Sequence, residues 1–394
     1  MQTSTIRDLP DPHLSLRDAT DFVFDSLLAR RALTDPEPRN LAILIREVVT
    51  LIYRLTTSCQ MPEFTEHGLP HLCSLLDRVS HWTLKTPTSQ GHFLIDQLTS
   101  TEAGQLLLAI LIHDIGMLSQ RPEDMPSGEE IWQTKSLRDV PYWVRATHVA
   151  RLPKLLHRAL KGTPLAPTLH DPLIDEAMRI AQAHGSWPWD KGFNGLGPRA
   201  SALSAIVAIA DLLDEDSNRC DIETLLNHRQ GTHLNCAHWL RHGLTADRVL
   251  IREGRIAVEL LAPPDTGNKL APVFAGLRNH FRLALVYRDT LKPLAADALD
   301  VDFSPVDGCP TAPSSELQGW NVVPGFTSES ALLYHLLSTF MPLGLLDSKR
   351  VVATEIARVT RFGMENVDLD DFYLIRGESE PRSGDEQVFR ALTP

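Results

Sequence analysis

The feature that most constrains the fold is an apolar segment, residues 106–118, in which a histidine and an aspartate follow a run of leucine, isoleucine and alanine. The apolar residues predict a buried helix over about 102–118. His113 and Asp114 lie near the end of that helix. An ionised carboxylate in such surroundings is costly unless it is paired or bound to a metal. The fold must therefore supply a partner for Asp114 inside the protein.

A second apolar segment, residues 202–214, has the same unusual feature. Asp211 follows a run of alanine, isoleucine and valine that predicts another buried helix. Two apolar helices that each carry an acid suggest that their carboxylates share one cation. The alternative for the first segment is local: His113 is capped by its neighbour at a helix end, with Gly116 as the terminator.

The overall composition is that of a soluble globular protein, with 43% hydrophobic and 22% charged residues. The net charge of −12, from 38 basic and 50 acidic side chains, argues against bulk binding to duplex DNA or anionic lipid, because both depend on clustered cations. A small nucleotide needs only a few local arginines. The charge therefore leaves nucleotide binding open.

The cysteines and the apolar runs indicate where the protein works. Its five cysteines are widely spaced and form no Cys-x-x-Cys pair, so we expect free thiols in a reducing compartment and no thiolate zinc site. The N-terminus lacks the pattern of a signal peptide, and no apolar run reaches the roughly 18 residues of a membrane span. We expect a cytoplasmic protein that does not contact a membrane.

The remaining periodicity predicts a mostly α fold with a small β-hairpin and a short C-terminal α/β appendage. The alternation in residues 249–260 around Glu253-Gly254 predicts the hairpin. Pro153 predicts a kink or break in its helix. The predicted helices, besides the two already described, cover residues 16–33, 40–56, 69–81, 142–161, 171–184 and 270–300.

These elements suggest four parts of the chain. Residues 1–60 form a helical segment that packs on the core, and residues 61–300 form the main domain. Residues 301–322 are rich in proline, serine and glycine and predict a linker. Residues 323–394 make up the appendage.

Ionisable residues on or beside the apolar helices define a candidate metal site. Imidazole and carboxylate ligands suit Mn²⁺, Fe²⁺, Zn²⁺, Co²⁺ or Ni²⁺ and leave positions open for water or substrate. Adjacent helical residues point about 100° apart, so His113 and Asp114 reach one ion only if it lies between their directions. In chain order the candidates are His71, His113, Asp114, His148, His184 and Asp211.

This order resembles the HD superfamily of metal-dependent phosphohydrolases, whose pattern is His…His-Asp…Asp in a helical bundle. The resemblance covers roughly residues 60–290. Residues 64–71 and 145–151 resemble motifs of the HD-CE type, bacterial HD domains that are often coupled to an Hsp90-like ATPase. Val149 replaces the second histidine of the latter motif. The Gly-Tyr-Pro signature of cyclic-dinucleotide phosphodiesterases is absent after His184.

The resemblance implies roles for these residues within an HD-type bundle over residues 61–300. The ligands of a first metal would be His71, His113, Asp114 and Asp211. His148 and His184 would bind a second metal, supply a proton or contact phosphate, and the alternative is that they are core histidines.

Three further residues would bind the substrate. His67 would face the phosphate or support the ligands. Arg145 and Arg151 would hold phosphate oxygens through their planar guanidinium groups, or else form surface salt bridges.

The implied activity is hydrolysis of a phosphoester or phosphoanhydride of a nucleotide, with Asp114, His148 and His184 as catalytic residues. One or two divalent ions of the types above, or Mg²⁺, would be the cofactor. Two alternatives stay open: a metal-dependent nuclease on single-stranded nucleic acid, and a non-catalytic nucleotide sensor or scaffold. The resembled group suggests an antiphage role and a separate Hsp90-like ATPase as partner, and a homo-oligomer is a further expectation.

Overall fold

The computed structural model describes residues 15–34, 39–59, 67–85, 92–118, 140–161, 172–186, 195–215, 249–260, 283–294 and 300–305, and the single residues 188, 193, 242, 245 and 281. These parts of the chain are mostly α-helical, as predicted. The appendage and all but the first residues of the predicted linker, 306–394, lie outside the described residues.

The α-helices of the described ranges agree with the predicted ones to within a few residues, with two exceptions. The helix predicted to run to residue 118 ends at Ile112, and another predicted helix is divided. The predicted helix over residues 16–33 divides at Ser26, whose hydroxyl accepts a hydrogen bond from the backbone N–H of Ala29 and so starts a new helix. The helices are α1 (Leu16–Asp25), α2 (Leu27–Ala32), α3 (Arg39–Cys59), α4 (Leu69–Ser80), α5 (Ser100–Ile112), α6 (Val140–Leu160), α7 (Pro172–Ala183) and α8 (Pro198–Leu212).

Helix α5 is the centre of the bundle. Its start is set by a capping box, in which Thr99 accepts from the backbone N–H of Glu102 and Glu102 accepts from that of Thr99. From Leu106 to Ile112 its residues are apolar and buried on every side. The helix packs against α2, α3, α4 and α7. The expectation that no apolar run is long enough for a membrane span is wrong for Ser100–Leu118, which passes that test by length and composition, but 83% of its 18-residue apolar window is buried inside the protein. The segment is therefore best explained as part of the core of the helical bundle.

Helix α6 continues through Pro153 without ending there. The helix packs against a short 3₁₀ helix, Ile115–Leu118, which follows α5 directly. This packing brings the middle of α6 next to the end of α5.

Strands are few in the described part of the chain. Strands β1 (Thr83–Leu84) and β2 (His92–Phe93) pair antiparallel. The predicted hairpin is confirmed: β3 (Leu250–Arg252) and β4 (Arg255–Leu260) pair antiparallel across a turn. Both turn residues have positive φ, 55° at Glu253 and 75° at Gly254, as a two-residue type I′ turn requires.

A third strand, β5 (Asp300–Pro305), pairs parallel to β4. This strand was not predicted from the sequence, whose proline- and serine-rich composition predicted the start of a linker there. The helix predicted over residues 270–300 is described at residues 283–294, where it is not an α-helix. They form two 3₁₀ helices, Leu283–Tyr287 and Asp289–Leu294, and Pro293 in the second has no backbone N–H for an α-helical hydrogen bond.

The chain divides into two compact units: residues 1–61, 66–211 and 290–295, and residues 62–65, 212–289 and 296–394. The helices α1 to α7 and all the candidate ligands belong to the first unit. The three-stranded sheet belongs to the second. The four-part division of the chain stays a prediction.

Candidate metal centre

Three helices bring distant ligands together. His71 lies on α4 and is buried. Helix α5 ends at Ile112, so His113 is its C-terminal cap and Asp114 lies in the turn that follows. Because the α-helix stops there, the two neighbours are not held to the 100° separation of a regular helix. Asp211 comes from the last turn of α8.

Two groups of residues could each hold a metal ion and are called ligand sets below. The first candidate set consists of His71, His113, Asp114 and Asp211. The Nε2 atoms of His71 and His113 are 3.3 Å apart. The Oδ2 atom of Asp114 lies 3.4 Å from Nε2 of His113 and 3.8 Å from Nε2 of His71. The Oδ1 atom of Asp211 lies 3.9 Å and 3.6 Å from the same two nitrogens. The four side chains therefore surround one small volume.

The second ligand set consists of Asp114, His148 and His184. The Oδ1 atom of Asp114 lies 3.4 Å from Nε2 of His148 and 3.8 Å from Nε2 of His184. The two imidazole Nε2 atoms are 3.4 Å apart. The Asp114 carboxylate is thus shared, with one oxygen facing each set.

Backbone carbonyls orient two of the imidazoles. Nδ1 of His113 donates to the carbonyl of Ile110 at 2.8 Å, and Nδ1 of His184 donates to that of Ala181 at 2.5 Å. A carbonyl only accepts, so the proton of the neutral ring is on Nδ1 and the lone pair is on Nε2. This is the arrangement by which proteins present histidine to a metal.

The two carboxylates of the first set stabilise a positive charge at its centre, as the pKa of His113 shows. Burial alone would lower the pKa of His113, but the Asp114 and Asp211 carboxylates raise it to about 10. Burial opposes ionisation of Asp114, yet His113 and His67 hold the pKa of its carboxyl well below the usual value. Burial likewise opposes ionisation of Asp211, and hydrogen bonding to His113 lowers its pKa.

The second set has the opposite electrostatic character. Burial, together with the nearby His113 and His148, lowers the pKa of His184 to about 4. His184 is therefore neutral at physiological pH and has its Nε2 lone pair available.

Gly116 allows the two sets to approach each other. A Cβ atom at this position would lie 2.1 Å from the backbone oxygen of His148 on α6. From the sequence, Gly116 was predicted only as a possible helix terminator. Its position two residues after Asp114 was a signal that the backbone there touches another element. Val149, which replaces a histidine of the resembled motif, lies against Gly185, where an added Cβ would be 3.0 Å from the Val149 Cγ1 atom.

The predicted substrate-binding residues lie in different environments. His67 is buried, and its Nδ1 atom is 3.1 Å from Oδ2 of Asp114. Arg151 is completely buried. The side chain of Arg145 lies outside the described part of the chain. The substrate-binding roles of these three residues stay predictions.

The donor set fits a divalent metal ion. Both sets combine imidazole nitrogen with carboxylate oxygen, and the ligand atoms within each set lie within 4.8 Å of one another. A helical bundle whose core carries this His, His-Asp, Asp arrangement defines the protein as an HD-type domain.

Comparison with known proteins agrees with that class. The HD-CE family model matches residues 61–290, more than half of the chain. The chain therefore belongs to the HD-CE family, as the motifs of the sequence suggested. No curated protein and no solved structure matches the chain significantly. Family and ligand geometry together indicate an HD-type metal-dependent hydrolase.

Proposed function

We propose that the protein hydrolyses a phosphoester or phosphoanhydride bond of a nucleotide with the help of divalent metal ions. The observation that carries the proposal is the position of Asp114, whose two oxygens each face a separate group of imidazoles. A carboxylate placed in this way can bridge two ions, the arrangement typical of phosphoryl hydrolysis centres.

The ligands would act as follows. His71, His113, Asp114 and Asp211 would hold one divalent ion, and Asp114, His148 and His184 would hold a second. Bound divalent ions supply Lewis-acid activation of water and neutralise charge on phosphoryl oxygens. If only the first set is filled, His148 is the best placed residue to donate a proton to the leaving oxygen.

The differing exposure of the ligand side chains indicates the side from which a substrate would reach the metal centre. His71 and His113 are completely buried at their side chains, whereas the side chain of Asp211 is 33% exposed and that of His148 is 16% exposed. A phosphate group would therefore reach the centre from the side of Asp211 and His148, the ligands that are partly exposed to solvent.

The test is a nucleotide panel incubated with the full chain and Mn²⁺, Mg²⁺, Co²⁺ or Ni²⁺, with products separated by chromatography. The panel contains nucleoside triphosphates, cyclic nucleotides and nucleotides with pyrophosphate groups, and labelled single-stranded oligonucleotides form a separate arm. Release of phosphate or a nucleoside phosphate that is lost in Asp114→Asn supports the proposal. Cleavage confined to the oligonucleotides would favour a nuclease, and nucleotide binding without product would favour a sensor.

The wider setting follows from the family resemblance and is also a proposal. We infer a cytoplasmic enzyme of an antiphage system, which acts with a separate Hsp90-like ATPase and forms homo-oligomers. Co-purification of the tagged full chain with an ATPase encoded nearby, and the mass of the complex in solution, test these points.

A further inference from the structure

His67 lies directly against the shared carboxylate. Its Nδ1 atom is 3.1 Å from Oδ2 of Asp114, the oxygen that faces the first ligand set. Its ring also packs edge-on against the ring of His71, with 5.6 Å between the centroids. His67 immediately precedes Gly68, the N-terminal cap of α4, and so has a fixed position relative to His71 one turn later.

The direction of this hydrogen bond follows from chemistry. A carboxylate that binds a cation is ionised and can only accept hydrogen bonds. Nδ1 of His67 is therefore the donor, and Oδ2 of Asp114 is the acceptor.

The burial of His67 distinguishes between two possible roles, binding a substrate phosphate and supporting the Asp114 carboxylate. A residue that holds a substrate phosphate must present a polar atom to the cleft, whereas only 8% of the His67 surface is exposed. Its Nδ1 atom is directed to Asp114. The side chain is thus better suited to hold the ligand than to hold the substrate.

We propose that His67 is a positioning residue that fixes the rotation of the Asp114 carboxylate, so that Oδ2 faces the first ligand set and Oδ1 faces the second. A carboxylate on a single-bonded side chain can rotate about its Cβ–Cγ bond. A partial rotation would turn both oxygens away from their ligand sets and weaken both sets. The donor on Oδ2 prevents this rotation and does not occupy Oδ1.

The inference rests on the metal centre of the proposed function and is independent of the substrate. Hydrogen-bonding partners of metal ligands typically contribute about 10–100-fold to metal affinity. We expect an effect of this size when the donor is removed.

The experiment compares His67→Gln with His67→Asn in the full chain. The amide nitrogen of asparagine is as many bonds from Cα as Nδ1 of histidine, so His67→Asn retains a donor near Oδ2. Glutamine places its amide one bond farther away and removes that donor. Mn²⁺ affinity is measured by calorimetry without substrate, and thermal unfolding of the metal-free variants checks that both fold.

We expect His67→Gln to bind Mn²⁺ about 10–100-fold more weakly than the wild type and His67→Asn to restore most of the affinity. Wild-type affinity in His67→Gln, or equal losses in both variants with normal unfolding, would overturn the proposal. A raised KM with unchanged Mn²⁺ affinity would also overturn it, because that result assigns His67 to the substrate.

A second readout does not depend on metal or turnover. In the metal-free protein with ¹⁵N-labelled histidine, the ring of His67 should carry its proton on Nδ1, and the signal should change in Asp114→Asn. A proton on Nε2 alone would contradict the inference. A chain that shows the Nδ1 proton but hydrolyses nothing would refute the proposed function and leave the positioning role intact.

Discussion

The two ligand sets share Asp114 but differ in charge and exposure. The first has two carboxylates and two buried imidazoles, and its His113 has a pKa raised to about 10. The second has only the shared carboxylate, a partly exposed His148 and a His184 whose pKa is lowered to about 4. Because an added carboxylate strengthens the attraction for a cation, we expect the first set to hold its ion more tightly. The same residue types thus form one buried site that we expect to bind its ion tightly and a second site that is more exposed to solvent.

The largest effect should come from the residue that both sets share. Asp114→Asn leaves the shape nearly unchanged but removes the charge and one acceptor oxygen from the centre. We expect loss of both ions and a decrease of turnover by about a thousandfold, which corresponds to roughly 4 kcal/mol of transition-state stabilisation. Metal content by mass spectrometry and turnover are measured together. Retention of one ion per chain would show that the two sets do not depend on a common ligand.

A pair of variants should separate the sets. Asp211→Asn removes a ligand of the first set only, and His184→Gln removes a ligand of the second only. We expect Asp211→Asn to weaken the tighter Mn²⁺ site by about a hundredfold, roughly 2.7 kcal/mol, while His184→Gln weakens only the second binding step. Calorimetric titration resolves the two steps. Equal changes in both variants would mean that the sets form a single site.

Gly116→Ala tests whether backbone contact holds the second set in place. The added methyl group would collide with the backbone of His148 and push α6 away, so we expect a loss of stability of about 1–3 kcal/mol. The second Mn²⁺ step should weaken more than the first. Gly197→Ala is the matched control, since a Cβ atom there meets nothing within 4 Å. Urea unfolding and Mn²⁺ titration are the measurements, and equal weakening of both steps would contradict the predicted difference.

The pH dependence of metal binding should differ between the sets. In the metal-free protein His113 holds a proton below its raised pKa of about 10, and an ion must displace that proton. We expect the affinity of the first set to rise with pH by up to about tenfold per unit below that value. His184 is already neutral above its lowered pKa of about 4 and has no proton to release. Calorimetry in buffers of different ionisation enthalpy counts the protons released, and equal counts for both steps would refute this difference.

The smallest effect concerns an ion pair far from the ligands. Arg199 on α8 donates hydrogen bonds to Glu102 on α5 and to the backbone oxygens of Gln97 and Pro293. The pair therefore joins α5, which ends just before Asp114, to α8, which carries Asp211, without touching either ligand set.

Hydrogen bonding from Arg199 outweighs burial and lowers the pKa of Glu102 below its usual 4.5. The stabilisation is present above the unfolded pKa and disappears as the pH falls through the lower folded value. Because Arg199 is 45% exposed, we expect Glu102→Gln to cost only about 0.5–1 kcal/mol at neutral pH and less in acid, as measured by urea unfolding at both. A large change in Mn²⁺ affinity would mean that this pair, too, sets the ligand geometry.

The local signals in the sequence predicted much of the fold. The apolar segments that became α5 and α8, and the Glu253-Gly254 hairpin, were readable because their periodicity and turn residues are short-range properties. The prediction of secondary structure failed where contacts between distant residues, or a competing capping hydrogen bond, determine the local conformation. Strand β5 depends on a partner some forty residues earlier in the chain, and Ser26 divides a helical pattern by a capping hydrogen bond that competes with helix continuation.

For the metal centre, the sequence alone determined which residue types were available and that the buried acids needed partners, because burying a charge is costly wherever the chain places it. Only the tertiary structure decided that Asp114 divides its oxygens between two groups of imidazoles, that Gly116 lets α6 approach, and that His67 donates to Oδ2. These features are distances between atoms on different helices. They depend on how the helices pack, which no spacing along the chain specifies.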